Sequence, residues 1–414
     1  MRNLLPAALL ALALPAAAEF DPAGLWHAKL SPTESHPVEF QVRIAKKGSA
    51  LSATLINGTA SEPFSGVRWD GSTLTLEMAH YDAKIVASPK GEGLEGSFTR
   101  IVASGTREFP FSASRKAPPA PAVKKRGVSV AGTWAVEIAR EGGKSESVVA
   151  LFSQKGTAVT GTMATSSGDY GPLHGTFDGE RLVLSVFNGV FVYRFTAELL
   201  PDGTLAGEFR AGKSPPADWK GTKKPSASLE AGPAAKEPEK PFVFALPDLD
   251  GKTVSSTDSR FAGKAMIVTA MGTWCPNCHD EAPVLEELFS KYRAKGLEVV
   301  AMTYEYTDDL ERNRRLISQF RQRSGVTYPI LWAGATKESA SSPLFLRVDG
   351  PRAFPTTLFL DRQHRIVGIH SGFDGPATGD RFTKLKKEWE EKVRTLLSGS
   401  AEFRVPGASA IGVR

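Results

Sequence analysis

Apolar and polar residues alternate with a period of two through much of the first half of the chain. Between positions 38 and 44, Val, Phe, Val and Ile occupy every second position, with Glu, Gln and Arg between them. Such alternation is typical of a β-strand with one buried face. Asn-Gly and Asp-Gly pairs, which favour tight hairpins, occur at 57–58, 70–71, 178–179 and 202–203. The pattern predicts two all-β antiparallel modules over 19–114 and 128–222, each a barrel or sandwich of six to eight strands.

The two β modules share short sequences at a constant offset. Gly-Leu-Trp at 24–26 corresponds to Gly-Thr-Trp at 132–134, and Lys-Gly-Ser-Ala at 47–50 corresponds to Lys-Gly-Thr-Ala at 155–158. A Leu-x-Gly-x-Phe motif occurs at 94–98 and again, at a slightly larger offset that a small loop insertion would produce, at 205–209. We interpret this correspondence as an internal duplication. The modules are compatible with a ligand pocket, a docking surface for partners, or a spacer with a filled core.

From position 242 onward the pattern changes to alternating strands and helices. A buried strand at 265–269, a helix at 282–295 and a strand at 297–303 predict a βαβ unit. Further along, the sequence predicts a charged helix at 308–325, a strand at 328–332, a hairpin with strands at 357–360 and 365–370, and a closing helix at 382–397. These elements predict an α/β domain over 241–397.

The segments outside these three domains have distinct compositions. Two Pro-, Ala- and Lys-rich segments, 115–127 and 223–240, lack the residues of a core and are predicted linkers. Residues 1–18 combine a basic start, a short apolar stretch and a final Ala-Ala-Ala, which is typical of a cleaved secretory signal peptide. We therefore expect an exported, soluble, periplasmic protein with no integral membrane segment after cleavage. The tail at 398–414 carries no readable signal.

Composition and charge exclude one class of partner. A chain of 414 residues is long enough for several domains, and 41% hydrophobic with 23% charged residues is typical of a globular protein. The net charge of +6 is spread over small basic clusters beside predicted turns and linkers. Because no single basic face results, we expect no nucleic-acid binding.

The two cysteines of the chain lie together in one run, Cys275-Pro-Asn-Cys278, between the predicted strand and helix of the βαβ unit. Free N–H groups at a helix N-terminus stabilise a thiolate, and the two-residue spacing lets the sulfurs bond reversibly. We expect Cys275, at the exposed end of the turn, to be the nucleophile and Cys278 to resolve the mixed disulfide. His279 either adds positive charge beside Cys278 or is a solvated helix residue.

Three separated motifs of the α/β domain follow one another in an order that is typical of a known family. They are Gly-Thr-Trp-Cys-Pro-Asn-Cys-His-Asp-Glu-Ala-Pro at 272–283, Gly-Leu-Glu-Val-Val-Ala at 296–301 and Phe-Pro-Thr-Thr-Leu-Phe-Leu-Asp at 354–361. Together they resemble the TlpA/ResA branch of the thioredoxin superfamily over residues 241–397. The resemblance implies a mixed sheet of four or five strands flanked by helices, and thiol–disulfide exchange in extracytoplasmic proteins.

The resemblance also implies residue roles and partners. Pro355 corresponds to the family's cis-proline, and the neighbouring Phe354 and Thr356 would bind an extended substrate. Glu281 corresponds to the acid that shuttles the proton of the buried thiol. Trp274 is either a lid over the site or a packing residue. The implied partners are disulfide-bearing extracytoplasmic proteins and a membrane thiol-electron donor of the DsbD/CcdA type.

Several alternatives stay open at this point. Proline directly after the first cysteine leaves the direction of electron flow undecided between a reductase and an oxidase. Cys-x-x-Cys-His also matches c-type haem attachment, although a preceding buried strand and tryptophan are not typical of a haem site. The other histidines lack zinc-ligand spacing, and Gly272 stands where a peroxidase needs threonine, so we expect no cofactor and no metal. A different class of function is an envelope ligand- or partner-binding protein that works through its β modules, with an accessory redox domain.

Overall fold

The structure, a computed structural model, describes residues 20–229 and 232–399. The predicted signal peptide at 1–18 and residues 400–414 of the predicted tail lie outside the described residues. Within the described ranges, no helix is long and apolar enough to cross a membrane. The described chain is mostly β, with an α/β region at its C-terminal end.

The first β module is one antiparallel sheet that curves around its core without closing. Trp26 is buried in this core, and its Nε1 donates to the carbonyl of Pro22 at 2.9 Å. The predicted alternation at 38–44 is confirmed, because the apolar residues are buried and the residues between them are not. The strands, in the spatial order β4-β3-β2-β1-β9-β8-β7-β6-β5, are β1 (Gly24–Leu30), β2 (Val38–Lys47), β3 (Ala50–Asn57), β4 (Ala60–Pro63), β5 (Gly66–Trp69), β6 (Leu74–Met78), β7 (Ala83–Lys90), β8 (Gly93–Val102) and β9 (Gly105–Ser114).

The second β module is a closed antiparallel barrel. Its first strand pairs with both its second and its last strand, and a pairing between the second and third strands completes an eight-stranded ring. Trp134 repeats the bond of Trp26, since its Nε1 donates to the carbonyl of Val130 at 2.8 Å. The strands are β10 (Gly132–Ala139), β11 (Ser145–Lys155), β12 (Ala158–Thr165), β13 (Gly168–Asp169), β14 (Leu173–Phe177), β15 (Arg181–Phe187), β16 (Val192–Leu199), β17 (Leu205–Ala211) and β18 (Ala217–Lys223).

Shared features of the two modules give the repeated motifs a physical reason. In each, the first strand lies between the second and the last. The motif glycines Gly96 and Gly207 lie where a Cβ would overlap a backbone carbonyl of the neighbouring strand. The first sheet has nine strands rather than six to eight, because the short strands β4 and β5 lack the apolar alternation that marks the others. The duplication itself stays a prediction.

The two modules pack directly against each other. Phe187, Val190 and Val192 of the second module belong to the hydrophobic core of the first. The side-chain amide of Asn57 donates to the carbonyl of Phe187 at 2.8 Å and accepts from its N–H at 3.3 Å. The open first sheet is therefore covered by its neighbour, and the interface between the modules is buried.

The C-terminal region is built around a five-stranded mixed sheet, as the resemblance implies. The spatial order of its strands is β24-β23-β22-β26-β27, with β22 parallel to β23 and antiparallel to β26. The strands of the region are β19 (Ala234–Ala235), β20 (Ala245–Pro247), β21 (Thr253–Ser255), β22 (Ala265–Met271), β23 (Leu297–Glu305), β24 (Ile330–Ala335), β25 (Val348–Asp349), β26 (Thr356–Leu360) and β27 (Ile366–Ser371). The helices are α1 (Pro276–Tyr292), α2 (Leu310–Ser324), α3 (Pro343–Leu346) and α4 (Asp380–Ser398).

Helix α1 begins earlier than predicted, and this places the cysteines. The sequence pattern predicted a start at Ala282, whereas the helix begins at Pro276 and contains Pro283 in its second turn. Proline is well tolerated at the first helical position, because the N–H it lacks has no partner there. Cys275 is therefore the N-cap residue, directly after the buried strand β22 and its short connecting turn.

Candidate active site

The two cysteines lie at the N-terminus of helix α1 as free thiols in contact with each other. The Sγ of Cys275 accepts a hydrogen bond from the backbone N–H of Cys278 at 3.4 Å. Cys275 is 5% exposed and Cys278 is 1% exposed. The expectation that Cys275 lies at an exposed end of the turn is wrong, because residues from other parts of the chain cover it.

A set of aromatic and backbone groups surrounds the Cys275 thiol. Its Sγ donates to the carbonyl of Phe354 at 3.2 Å, and the Phe354–Pro355 peptide bond is cis. The indole of Trp274 stacks on Tyr306 at 4.7 Å between ring centroids, and its Nε1 donates to the carbonyl of Tyr304 at 2.8 Å. Trp274 and Phe354, which precedes the cis-proline, therefore lie together beside Cys275.

Thr356, the remaining residue predicted to bind substrate, points away from this surface. It is buried, and its hydroxyl donates to the carbonyl of Ala353 at 2.8 Å. The hydroxyl closes the turn that carries Phe354 and Pro355.

Glu281 is a buried carboxyl one turn beyond Cys278 in helix α1. Two threonine hydroxyls donate to it, from Thr269 at 2.9 Å and from Thr357 at 2.5 Å. Burial raises the pKa of Glu281 to about 7, against the opposing effect of these two hydrogen bonds. Burial also raises the pKa of the Cys278 thiol well above its usual range, and the nearby Cys275 and Glu281 contribute to that rise. The arrangement puts a carboxyl that titrates near neutral pH beside a thiol that holds its proton.

Glu305, which the sequence analysis did not single out, holds the loop that precedes Cys275. Its carboxylate accepts from the backbone N–H of Thr273 at 3.0 Å, from the Thr273 hydroxyl at 2.7 Å and from the Thr303 hydroxyl at 2.8 Å. Burial raises its pKa. A glutamate at the end of a buried, largely apolar strand was the signal in the sequence that could have identified it.

His279 is packed among aromatic rings rather than solvated, and its surroundings disfavour the positive charge that the sequence analysis considered. Its ring is buried against Tyr81 at 4.9 Å and Phe320 at 4.6 Å between centroids. Burial, with a smaller effect of His80, lowers the pKa of His279 well below its usual range. Because a carbonyl can only accept, the Nε2 that lies 2.8 Å from the carbonyl of Thr273 carries the proton of the neutral ring.

The surroundings of His279 do not fit a c-type haem. The iron of such a haem needs a free imidazole nitrogen on an open face of the site. Here Nε2 is hydrogen-bonded to the carbonyl of Thr273, and Nδ1, which has no hydrogen-bond partner among the described residues, is buried where the ring packs among aromatic side chains. Within the described ranges, no group of three or more His, Cys, Asp and Glu residues is arranged to hold a metal ion.

Residues of both β modules contribute to the surroundings of Cys275. Burial raises the pKa of Tyr81 and Tyr193 well above their usual range and that of Tyr306 to about 12, and the nearby Cys275 contributes to each rise. Tyr81 belongs to the first module and Tyr193 to the second. A cleft of about 890 Å³ next to this region is lined by both modules and by Pro276 and Asn277 of helix α1.

A pair of partly buried carboxyls lies where the second module contacts helix α1. Asp169 of strand β13 accepts from the backbone N–H of Gly375 at 2.7 Å. A Cβ at Gly375 would lie 2.7 Å from Asp280 and 2.8 Å from Asp169, which places the two carboxyls on either side of this glycine. Burial and mutual repulsion raise the pKa of Asp280 to about 8, and burial raises that of Asp169 to about 6.

Comparison with known proteins is consistent with this geometry. Residues 239–369 match the AhpC/TSA family. The thiol-disulfide oxidoreductase ResA of Halalkalibacterium halodurans is 26% identical over 153 residues, which are 37% of this chain and 78% of the relative. ResA of Bacillus thuringiensis is 28% identical over 124 residues, so the match spans 30% of this chain and 63% of that relative. A solved thiol:disulfide interchange protein of the thioredoxin family from Chlorobium tepidum aligns over 41% of this chain and 99% of its own, with 23% identity and a TM-score of 0.30. The C-terminal region of this chain therefore matches the AhpC/TSA family, and over the same region the chain is similar to thiol-disulfide oxidoreductases of the ResA type.

Proposed function

We propose that the chain is an exported thiol-disulfide oxidoreductase that reduces disulfides of extracytoplasmic proteins through the Cys275/Cys278 pair. The observation that carries this proposal is the paired thiols at the N-terminus of helix α1, with the buried Glu281 beside the inner one. The ResA relatives support the same chemistry.

The reaction consists of two exchanges. The Cys275 thiolate attacks one sulfur of the substrate disulfide, so that a Cys275–substrate disulfide forms and the other substrate sulfur leaves as a thiolate that takes up a proton. Cys278 then gives its proton to the Glu281 carboxylate and attacks the Sγ of Cys275, which releases the second substrate thiolate. The substrate gains two electrons, and the enzyme ends with a Cys275–Cys278 disulfide.

Other residues of the site position the substrate. The carbonyl of Phe354, which accepts from the resting Cys275 thiol, becomes available to an extended substrate backbone once Cys275 has reacted. Trp274 and Pro355 border the same position, and Thr356 acts through the turn that it closes. Return to the dithiol requires an external reductant, for which we propose a membrane thiol-electron donor of the DsbD/CcdA type.

Export and the β modules complete the proposal. Residues 1–18 would direct secretion to the periplasm and be removed there, which leaves a soluble chain.

The second candidate function, an envelope ligand- or partner-binding protein working through duplicated β modules, draws support from the 890 Å³ cleft that both modules line. Replacement of Cys275 by Ser separates the two: the enzyme requires Cys275, whereas binding through the β modules does not.

The first test is the midpoint potential of the Cys275/Cys278 pair in the mature chain, followed by tryptophan fluorescence in defined thiol–disulfide buffers. A value near that of thioredoxin, about −270 mV, supports a reductase, and one near −120 mV supports an oxidase. A Cys278→Ser chain should trap a mixed disulfide with substrate, and a Cys275→Ser chain should not. If the titration shows no reversible two-electron transition, the proposed activity is wrong.

A further inference from the structure

The surface that a protein disulfide would have to reach is covered by the two β modules. Three segments form this cover, which we call the cap: residues 79–82 and Arg100 of the first module, and residues 167–169 of the second. The cap lies against helix α1 and the loops beside it. With the cap in place, only 5% of the Cys275 surface is exposed.

The part of the cap from the first module contacts residues on both sides of the cysteines. The rings of His80 and Tyr81 lie 5.4 Å and 4.9 Å from that of His279, which directly follows Cys278. The Arg100 guanidinium lies near the phenol of Tyr306 and opposes the rise of its pKa, and Trp274 stacks on that phenol ring. The first module therefore contacts His279, which follows the cysteine pair, and lies near Tyr306, which stacks on the Trp274 that precedes it.

The part of the cap from the second module lies directly on the residues between the cysteines. A Cβ at Gly168 would overlap the side-chain amide of Asn277, and one at Gly372 would overlap the backbone of Ser167 and Gly168. Such contacts require glycine, because any larger residue would push the two backbones apart. The loop after β27 and the turn before β13 are thus in backbone contact at the active site.

Beside the ring contacts of His80 and Tyr81, three ion pairs join the first module to the C-terminal domain. Asp82 pairs with Arg312 at 2.7 Å and with Arg315 at 3.4 Å, and Glu62 pairs with Arg323 at 2.9 Å. All three arginines belong to helix α2. Partly exposed ion pairs are individually weak and are screened by salt. Among the contacts of the cap, these three ion pairs are therefore the ones that exchange most readily with water and ions.

From these contacts we infer that the cap is a gate that sets the substrate class of the dithiol. In the closed form Cys275 reacts with small disulfides, whereas a disulfide on a folded protein reaches it only after the ion pairs on helix α2 open. This inference rests on the proposed thiol–disulfide exchange and adds to it a size limit that the β modules impose.

The test compares two reagents of identical chemistry and different size. A full-length chain carrying Cys278→Ser, with Cys275 as its one thiol, is reacted with N-ethylmaleimide and with a maleimide attached to a 5-kDa polyethylene glycol. The ratio of the two rates is compared with the ratio for the same chain unfolded in urea. If the open form is populated at 1–10%, the native chain should discriminate against the large reagent by about 10- to 100-fold.

Substitutions that remove the negative charges of the cap contacts should reduce the discrimination against the large reagent. Asp82→Asn with Glu62→Gln removes the three ion pairs, and asparagine tolerates the positive φ of 52° at position 82. We expect the large reagent to react about 3- to 10-fold faster in this variant. The matched control is Glu95→Gln, which breaks an exposed ion pair with Lys90 within the first module and should change nothing. Added salt should likewise speed the reaction of the large reagent with the chain that carries no cap substitution.

Two results would overturn the gate. One is a native chain with the same rate ratio as the unfolded chain. The other is a ratio of the two maleimide rates that does not change on addition of salt and is the same in the double variant as in Glu95→Gln. Alkylation by maleimide does not require a reversible disulfide. If the redox titration showed no two-electron transition, the proposed activity would be ruled out, but the alkylation test of the gate would still be valid.

Discussion

Burial gives Glu281 the property that its proposed role requires. A carboxyl with an ordinary pKa holds no proton at neutral pH and is a weak base. The apolar surroundings of Glu281 raise its pKa to about 7, while the hydroxyls of Thr269 and Thr357 keep the charged form hydrogen-bonded. The carboxylate can therefore take a proton from Cys278, whose own pKa is raised by the same burial.

Replacement of Glu281 by Gln should separate activity from stability. Below pH 7 the carboxyl is protonated and cannot accept the proton of Cys278, so the wild-type rate of mixed-disulfide resolution should rise with pH through about 7. In Glu281→Gln that rise should disappear, and resolution at neutral pH should slow by about 100-fold. Rapid acid quenching of the mixed disulfide at several pH values measures this rate.

The same variant should be more stable than the wild type in alkaline solution. The pKa of Glu281 is raised on folding, so its contribution to stability is complete below about pH 4.5 and is lost as pH rises through about 7. Glutamine avoids that loss, and urea unfolding at pH 8 should show a gain of about 1–3 kcal/mol, with little gain at pH 4. Glu287→Gln, an exposed change in the same helix, is the control. Wild-type resolution kinetics in Glu281→Gln would contradict the role of this carboxyl.

At the scale of elements, periodicity predicted the sheet and helices that carry the site, but not their ends. The strand predicted at 297–303 extends to Glu305, and helix α1 begins at Pro276 rather than Ala282. Apolar patterns identify the middle of a buried element, because every residue there faces the core. The ends of these elements are set by individual hydrogen bonds, such as those from Thr273 to Glu305, and these bonds have no periodic signal.

Glu305 should be essential for the order of the loop that joins strand β22 to helix α1. In Glu305→Ala the buried N–H and hydroxyl of Thr273 lose their acceptor, which should cost about 2–4 kcal/mol of folding free energy. In Glu305→Gln the amide can serve both groups, since its oxygen accepts from the N–H and its nitrogen donates to the hydroxyl oxygen. Urea unfolding and the rate of the first exchange measure the two effects. Equal stability of the alanine and glutamine variants would contradict this role.

At the scale of the whole molecule, the sequence predicted the kinds of domain but not how they meet. Alternation shows which face of a strand is buried, yet it carries no information about what covers the outside of a barrel. Residues such as Asp82 and Arg312, far apart in the chain, are charged surface residues by every local criterion, and only the folded chain pairs them. The burial of Cys275 follows from such contacts, and the expectation of an exposed nucleophile was wrong for that reason.

The pair Asp169 and Asp280 makes the contact between the second module and helix α1 sensitive to pH. The raised pKa values, about 6 and about 8, mean that the folded chain holds protons that the unfolded chain has lost. Glu62 adds to the repulsion on Asp280 and Arg323 opposes it, while Asp374 adds to that on Asp169. By linkage, the stabilising effect is complete below about pH 4 and is lost as pH rises through 6 to 8.

Replacement of Asp280 by Asn should flatten this dependence. The asparagine amide stays neutral and can donate to Asp169, so the variant should gain about 2 kcal/mol in the free energy of unfolding at pH 9 and almost nothing at pH 4. The large maleimide should also reach Cys275 more slowly in this variant at pH 9, because the second module is held more tightly. Asp250→Asn, an exposed change in the same domain, gives the effect of net charge alone. If Asp280→Asn and Asp250→Asn show the same pH profile, Asp169 and Asp280 do not control how the second module sits on the active site.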